Sequence, residues 1–350
     1  MTIGDPAGIG AAITLQALKI LKGKADFTVI GDRLVLAKAA KLLKIAPVSL
    51  KLIDTPTAYK PALQGRGWPS RLSINPEQTL GFSPGSVEWV DLNNVQEKNF
   101  SFGSLNAQNG QASLEYLDVA LELLKRNKID CLVTCPISKE AINLAGARFP
   151  GHTEYLGKQT GRQNLVMMLI NDKLKFSLVT RHIRLCDVSR MLTRKKLENN
   201  ILNTVQGLKS LFLIKKPRLV VCGVNPHASD NGVIGTEEQK IIIPVIKSLN
   251  RKLSSFTIGG VLSADVAISQ AARGKFDCVI AIYHDQALIA LKLTGFDSGV
   301  NLTLGLPFVR TSPLHGVAFD IAGKPTLANP NSLIAAIKLA IKCTLNQKKA

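Results

Sequence analysis

The stretch Arg218-Leu219-Val220-Val221-Cys222-Gly223-Val224-Asn225-Pro226-His227 joins an apolar β-strand to a polar loop that contains a histidine. The apolar run is short and stops at a glycine, which is typical of a strand covered on both faces. Apolar residues at helical spacing precede it, at Leu197, Ile201, Val205 and Leu208. A helix followed by a buried strand and a polar loop predicts an α/β fold, in which ligands bind at the carboxyl ends of the strands.

The same alternation extends along the chain in both directions. Further strands are predicted at 27–30, 48–53, 130–134, 175–180 and 275–283, and further helices at 38–43, 111–125 and 329–345. Between Thr55 and Asn109 the sequence is rich in Pro, Gly and Asn, which predicts surface loops with one or two short strands.

The segment Gly4-Asp5-Pro6-Ala7-Gly8-Ile9-Gly10 comes closest to the G-x-G-x-x-G fingerprint of Rossmann folds. It lacks the third glycine, because position 13 is Ile, and it begins too early in the chain to follow a strand of normal length. The sequence therefore predicts a fold other than the Rossmann fold. We expect the segment to be a turn that opens a helix running to about Lys22, with an anion-binding helix N-terminus as the alternative.

The composition is that of a folded globular protein. Hydrophobic residues make up 46% and charged residues 20% of the 350 positions, which excludes an intrinsically disordered or collagen-like chain. No uncharged apolar stretch reaches eighteen residues and no signal sequence is recognisable, so a soluble cytoplasmic protein is predicted. The cysteines lie in apolar runs, which indicates reduced, buried thiols: 131, 135, 186, 222, 278 and 343.

The chain carries 44 basic and 25 acidic residues, for a net charge of +19. Such an excess is compatible with a nucleic-acid-binding protein. The basic residues are dispersed, however, and no basic stripe is interleaved with aromatic side chains that could stack on bases. We therefore expect no nucleic acid as the main ligand, and anionic small substrates fit the charge equally well.

Three of the five histidines directly follow predicted strands. His182 follows 175–180, His227 follows 218–222 and His284 follows 275–283. A parallel sheet would bring all three to one edge, where three imidazoles could hold a divalent metal ion and leave a coordination position for substrate. Hydrogen-bonded or solvent-exposed loop histidines are the alternative interpretation, because no two of the three are close in sequence.

A second group of residues combines positive charge with hydrogen-bonding side chains. Lys292, Asn301, Thr303 and Arg310 stand on or beside apolar segments, and arginine binds phosphate through two hydrogen bonds. The charged ends of Lys292 and Arg310 could instead extend to solvent. The turn-rich segment that follows runs from His315 to Asn329, with Asn329 expected to cap the last helix.

Taken together, several motifs closely resemble the 4-hydroxythreonine-4-phosphate dehydrogenase family of vitamin B6 biosynthesis. They occur in the family's order over essentially the whole chain. Besides the glycine-rich segment at 4–10, they are Pro136-Ile137-Ser138-Lys139, Gly151-His152-Thr153-Glu154, Asn225-Pro226-His227-Ala228, Gly235-Thr236-Glu237-Glu238, Tyr283-His284-Asp285-Gln286 and the segment 299–308.

The resemblance implies an isocitrate/isopropylmalate dehydrogenase-like α/β fold, with two α/β domains around a cleft. We expect residues 1–133 and 306–350 to form the first domain and 134–305 to form the second, which would carry the metal ligands and the dimer interface. It also implies NAD or NADP, one divalent ion such as zinc, magnesium or cobalt, and a homodimer whose active site is shared between subunits.

The resemblance also assigns roles to individual residues. The metal ligands fall on His182, His227 and His284. Asp285, Asp265 and Lys292 are expected to act in catalysis, by orienting a ligand, relaying a proton or steadying substrate oxygens. The substrate contacts fall on His152, Thr153, Lys292, Asn301 and Arg310. With a weaker match, the adenosine half of the cofactor is assigned to the segment with His315, Gly316, Asp320 and Asn329.

The implied reaction is oxidation of 4-phosphohydroxy-L-threonine to 2-amino-3-oxo-4-phosphooxybutanoate, which decarboxylates to 3-amino-2-oxopropyl phosphate. A dehydrogenase of 4-phospho-threonate or 4-phospho-erythronate is an alternative with the same fold. A phosphate acetyltransferase is a second, although three metal-ready histidines argue against it.

Overall fold

The computed structural model describes residues 1–45, 51–53, 87–149 and 151–349. They form two compact units, one of Met1–His152 with His315–Ile337 and one of Thr153–Leu314 with Lys338–Ala350. These units divide the chain further along than the predicted domain borders after residues 133 and 305. The domain assignment made from the sequence stays a prediction.

The elements alternate between strand and helix for most of the chain, as the sequence predicts. The strands are β1 Phe27–Gly31, β2 Lys51–Ile53, β3 Val87–Asp91, β4 Cys131–Val133, β5 Val166–Ile170, β6 Lys175–Leu178, β7 Arg218–Cys222, β8 Thr257–Leu262, β9 Cys278–Ala281, β10 Val300–Leu304 and β11 Val309–Pro313. The helices are α1 Gly10–Leu21, α2 Arg33–Leu43, α3 Ala107–Lys125, α4 Lys139–Leu144, α5 His152–Gln159, α6 Val188–Met191, α7 Arg194–Phe212, α8 Ile243–Lys252, α9 Ala264–Ala272, α10 His284–Gly295, α11 Phe319–Ala322 and α12 Asn331–Gln347. The predicted α/β class is confirmed.

The first unit is built on short parallel strands. β1 and β2 both pair with β3 in parallel. Thr2 forms parallel bridges to Ile30 and to Thr134, so the first residues of the chain lie between β1 and the end of β4. Of the loop region predicted from Thr55 to Asn109, residues 55–86 lie outside the described residues; the rest contains β3 and the start of α3.

The glycine-rich segment at 4–10 is a tightly packed turn that leads into α1. A Cβ atom on Gly10 would lie 1.9 Å from the carbonyl oxygen of Ile3, so only glycine fits there. The amides of Asp5, Gly8 and Ile9 donate to Pro136, Asp5 and Val317 carbonyls, and the amide of Ala7 donates to the Asp5 carboxylate. These bonds confirm the predicted turn, while the anion-binding alternative, which concerns the first amides of α1 itself, stays a prediction.

The second unit contains a mixed sheet in which the strands β11-β10-β5-β6-β9-β7-β8 are successive neighbours. β11, β10, β5 and β6 pair antiparallel, whereas β6, β9, β7 and β8 pair in parallel. The three strands that precede the histidines of interest are therefore adjacent and parallel. Their carboxyl ends meet at one edge, as the sequence predicts.

Helices cover both faces of this sheet. Successive side chains of a strand point to opposite faces, so each strand contacts helices on both sides. Phe176 and Leu178 of β6 pack in a core with buried residues of α9 and α10 such as Ala271 and Leu291. Ser177 points the other way, where its hydroxyl bonds to Asn200 and Thr204 of α7. Buried on both sides, the central strands hold their ends in fixed positions.

The sequence also predicts reduced, buried thiols and contains no apolar stretch long enough to span a membrane. None of the six cysteines, all of which lie in the described ranges, forms a disulfide. Four are buried, but Cys131 is only partly buried and Cys186 is exposed, so the prediction of buried thiols is wrong at Cys186, which lies in the loop after His182. Among the described helices, none combines the length and apolar character needed to cross a bilayer.

Candidate active site

The carboxyl edge of β6, β9 and β7 brings two imidazoles together. The rings of His182 and His284 have centroids 5.6 Å apart. This separation is of the order expected for two imidazoles on one ion, whose nitrogens bind at about 2.0–2.1 Å. The Nδ1 atom of His284 lies 2.6 Å from a carboxylate oxygen of Asp285, so Nε2 is the ring nitrogen that the predicted metal ligand would use.

His227 stands at the same edge in an unusual loop. After Pro226, the backbone of five successive residues, His227 to Asn231, has positive φ angles between 43° and 72°. This is a left-handed turn, which costs roughly 1–2 kcal/mol per residue for L-amino acids other than glycine. The surrounding structure must therefore hold the turn in place.

Glu238 anchors the start of this turn. It is fully buried, and its Oε1 atom accepts the amides of Val224 and Asn225 at 2.8 and 2.9 Å. Its Oε2 atom accepts the Asn225 side chain, which also donates to Glu237. Further along, the buried Ser229 hydroxyl bonds to Gln239. These contacts fix the backbone that carries His227.

The three histidines do not form one closed cluster within the chain. In the described ranges, no group of three His, Cys, Asp or Glu side chains is arranged to hold a metal ion. His227 instead lies near Asp265, whose pKa is lowered mainly by a hydrogen bond from Ser263 and to a smaller extent by His227. The three predicted ligands thus lie at one edge of the sheet, but only the rings of His182 and His284 lie close to each other there.

The predicted catalytic residues are exposed and lie on two helices of the second unit. Asp265 is in the first turn of α9, and Asp285 and Lys292 are on α10. The Lys292 ammonium lies 5.5 Å from the ring centroid of Phe296. Both carboxylates therefore stand beside predicted metal ligands, whereas Lys292 lies two turns along its helix from His284.

The predicted anion contacts centre on Arg310, which is 1% exposed. Its Nη1 atom donates to the hydroxyl of Thr303, directly opposite on β10. Burial lowers the pKa of Arg310 to about 10, and the nearby Glu154 carboxylate offsets part of this effect. The Oδ1 atom of Asn301, on the same strand as Thr303, is buried and has no hydrogen-bond partner among the described residues.

The remaining predicted substrate residues begin α5. Thr153 is buried and His152, at the first position of the helix, is partly buried. Glu154 follows them and forms an ion pair with Arg181 at 3.2 Å. The sequence alone predicts no role for Arg181, Glu154 or Glu238. Arg181 and Glu154 are distant in the chain, and nothing in the motif Gly235-Thr236-Glu237-Glu238 distinguishes Glu238 from the glutamate beside it.

The segment assigned to the cofactor lies in the first unit, next to the glycine-rich turn. Burial lowers the pKa of His315, whose Nδ1 atom is 3.0 Å from the Gly316 carbonyl. Its Nε2 atom is buried and unpartnered within the described part of the chain. Asp320 is exposed on α11, and the Asn329 side chain accepts the amide of Asn331 at the start of α12.

Comparison with known proteins gives a consistent picture. The family model "Pyridoxal phosphate biosynthetic protein PdxA" matches residues 23–340. A 4-hydroxythreonine-4-phosphate dehydrogenase of Sulfurihydrogenibium is 39% identical, over 97% of this chain and 96% of that protein. A D-threonate 4-phosphate dehydrogenase of Cupriavidus necator is 36% identical, over 97% and 94%. The crystal structure of a 4-hydroxythreonine-4-phosphate dehydrogenase of Klebsiella pneumoniae is similar with a TM-score of 0.80 and 32% identity, over 99% and 97%.

Proposed function

Since the chain belongs to the PdxA family of pyridoxal phosphate biosynthetic proteins, we propose that it oxidises 4-phosphohydroxy-L-threonine with NAD or NADP. The product is 2-amino-3-oxo-4-phosphooxybutanoate, a β-keto acid that loses carbon dioxide to give 3-amino-2-oxopropyl phosphate. The coarser statement, a dehydrogenase of phosphorylated threonine or threonate, covers both kinds of relative.

The observation that carries the proposal is the strand edge that delivers His182, His284 and His227. Neutral imidazoles are suitable ligands for a divalent ion, and two of the three rings already lie at a compatible separation. When bound, such an ion supplies stabilisation of the alkoxide that develops as the hydroxyl proton leaves. The choice among zinc, magnesium and cobalt depends on the third ligand and on the metals present.

The chain's own residues have separate tasks in this proposal. Asp285 holds the His284 ring by its Nδ1 atom, and Asp265 stands ready beside His227 to accept a proton. Arg310, Asn301 and Thr153 bind the anionic and hydroxyl groups of the substrate. Because Arg310 is already desolvated, a phosphate oxygen reaching it meets a strong hydrogen-bond donor.

The cofactor is assigned to the segment with His315, Gly316, Asp320 and Asn329. The buried, unpartnered Nε2 atom of His315 fits a role in binding, because a nucleotide oxygen or nitrogen would satisfy it. In this proposal, the exposed carboxylate of Asp320 accepts a hydrogen bond from a ribose hydroxyl. Substituting His315 by Ala should weaken NAD(P)H binding, measured by fluorescence titration, without changing metal content.

We also propose a homodimer with a shared active site. Ile289, Leu293 and Phe296 are 63%, 83% and 66% exposed, and their spacing places them on one face of α10 and just beyond it. Leu293→Asp should dissociate the dimer in light-scattering measurements and abolish activity, because Lys292 and the histidine edge are beside this face. Leu144→Asp, at an exposed leucine of α4 in the other unit, serves as the matched control.

One assay tests the proposal and its alternative. NAD(P)H formation is followed at 340 nm with 4-phosphohydroxy-L-threonine and, in parallel, with D-threonate 4-phosphate, each with and without a chelator. We expect chelator-sensitive turnover that is faster with the amino acid. Faster turnover of the hydroxy acid would favour the activity named for the Cupriavidus relative, and no turnover of either substrate would contradict both.

A further inference from the structure

Two arginines of the second unit lie close to a single carboxylate, and Lys196 lies near one of them; we call Arg310, Arg181 and Lys196 the cation cluster. Arg310 is buried, and Arg181 and Lys196 are partly buried. Glu154 forms an ion pair with Arg181, and its charge offsets part of the lowering of the pKa of Arg310. Burial, and secondly the charge of Arg181, lowers the pKa of Lys196. Glu154 neutralises only one of these charges, so the cluster keeps an excess of positive charge in a place partly removed from water, which favours a bound anion.

Arg181 is only partly satisfied by its contacts in the chain. Its Nη2 atom lies 3.2 Å from Oε1 of Glu154, while its Nη1 atom is buried and has no hydrogen-bond partner within the described residues. A guanidinium presents five donors in a rigid plane, and a buried donor without an acceptor is costly. Arg184, three residues along the same loop, instead donates twice to Asp187 and is largely exposed.

The backbone holds Arg181 firmly at the sheet edge. The amides of Val179 and Thr180 continue the β6–β9 ladder by donating to the Ala281 and Ile282 carbonyls. The Thr180 hydroxyl donates to the same Ile282 carbonyl. Arg181 is therefore the first residue after a fixed strand and immediately precedes His182, so its side chain starts from a backbone position that the sheet holds.

We propose that Arg181 is a second anion-binding residue of the substrate site, held in place by Glu154, with its open Nη1 edge reserved for a phosphate or carboxylate oxygen. The inference rests on the proposed function for the identity of the substrate, a phosphorylated acid that carries both groups. It does not depend on that function for the anion itself, because inorganic phosphate and acetate can be tested directly.

The test compares Arg181→Met with the matched control Arg184→Met. Dissociation constants of inorganic phosphate and of acetate are measured by calorimetry on the purified proteins, and KM and kcat are measured with the phosphorylated substrates. We expect Arg181→Met to weaken one anion by about tenfold or more and to raise KM in proportion, with kcat changed much less. Arg184→Met should match the unaltered protein in every measurement.

The pattern of losses identifies the group that Arg181 binds. Weaker phosphate binding assigns the phosphate, and weaker acetate binding assigns the carboxylate. Unchanged affinity for both anions, with unchanged KM, would overturn the inference and leave Arg181 as a structural partner of Glu154. Arg181→Lys covers the case of a Met variant that does not fold: it keeps the charge but loses the planar fork, so a smaller loss of the same kind is expected. If anion binding depends on Arg181 but neither substrate turns over, the proposed function fails and this inference stands.

Discussion

Two regions of the second unit are built differently: the cation cluster of Arg310, Arg181 and Lys196, and the histidine edge, the strand ends that carry His182, His227 and His284. Arg310 is 1% exposed and its partner Thr303 is set by strand register, whereas the His284 side chain is 38% exposed and His182 is exposed. Strand register fixes the Arg310–Thr303 pair inside one chain. His182 and His227 stand in loops and His284 begins α10, and among the described residues only the rings of His182 and His284 meet. Under the proposed function, this difference predicts that anions bind to a single chain whether or not a metal ion is bound.

The largest expected effect comes from removing a predicted metal ligand. His182→Ala, His227→Ala and His284→Ala should each lose bound metal and activity, by more than the roughly 10–100-fold typical of residues outside the ligand set. Inorganic phosphate should still bind to all three variants, because the cation cluster is intact. Metal content by emission spectroscopy and phosphate affinity by calorimetry check the two halves of this prediction.

A mixing experiment sharpens the same comparison. If His182 and His284 of one chain share the ion with His227 of a second copy, inactive His182→Ala and His227→Ala proteins should regain some activity when they are refolded together, because one of the two sites in the mixed dimer is intact. Metal lost without any such recovery would keep the ligands and contradict the shared site, and full metal occupancy in all three single variants would contradict the site itself.

The second effect concerns the cations. Arg310→Ala removes a buried charge-assisted contact, so kcat/KM for the phosphorylated substrate should fall by the equivalent of about 1.5–3 kcal/mol, while metal binding is retained. Lys292→Ala should give a similar loss only if Lys292 reaches a substrate, which its exposed position on α10 allows across a dimer. Steady-state kinetics and metal content distinguish these variants from the histidine variants, and unchanged kinetics in both would refute the phosphate assignment.

A third, smaller effect is expected from the buried carboxylate that holds the His227 turn. Glu238→Gln keeps the size of the side chain but replaces an acceptor of two backbone amides by an amide group, so unfolding free energy should fall by about 1–3 kcal/mol. Metal affinity should fall as well, whereas phosphate affinity should not. Denaturant unfolding and metal titration measure these changes, and an equal loss of phosphate binding would show that the two regions are coupled.

The smallest effect is a pH dependence at the neighbouring Glu237. Hydrogen bonds from Ser189 and Asn225 lower its pKa to about 2 from an ordinary value of 4.5. The charged form is favoured in the folded state, so the contribution is present above about pH 4.5 and is lost as the pH falls toward 2. Since Glu237 is largely solvated, we expect less than about 1 kcal/mol, measured as a difference in acid unfolding between the unaltered protein and Glu237→Gln.

Much of this architecture follows from local sequence. The apolar run at 218–222 is β7 at the predicted bounds. The position of the three histidines at one edge could be predicted, because each follows a strand and adjacent parallel strands end at the same edge. The Arg181–Glu154 pair could not be predicted, because it joins residues 27 positions apart in sequence through the packing of a helix beside a sheet end. The exposure of Cys186 could not be predicted, because apolar neighbours in the sequence do not show whether a side chain is buried in the fold.

The turn at His227 carries a sequence signal only at its end. Asp230, Asn231 and Gly232 are residue types that tolerate positive φ angles, whereas Ala228 and Ser229 are not. The turn is imposed by Glu238 and by the packing of Ala228 against Gly223, where an added Cβ would lie 2.8 Å from the Ala228 Cα. Tertiary contacts of this kind cannot be predicted from residue spacing along the chain.

That turn also makes the loop locally mirror-imaged. Five successive L-residues adopt the backbone that their D-enantiomers prefer, so a chemically synthesised chain with D-alanine at position 228 would fit the native loop better than the natural one does. Conversely, a β-branched L-residue there would be the poorest choice, since its crowded Cβ disfavours positive φ. Chirality thus becomes a design variable at this one loop, independent of the chemistry of the histidine it carries.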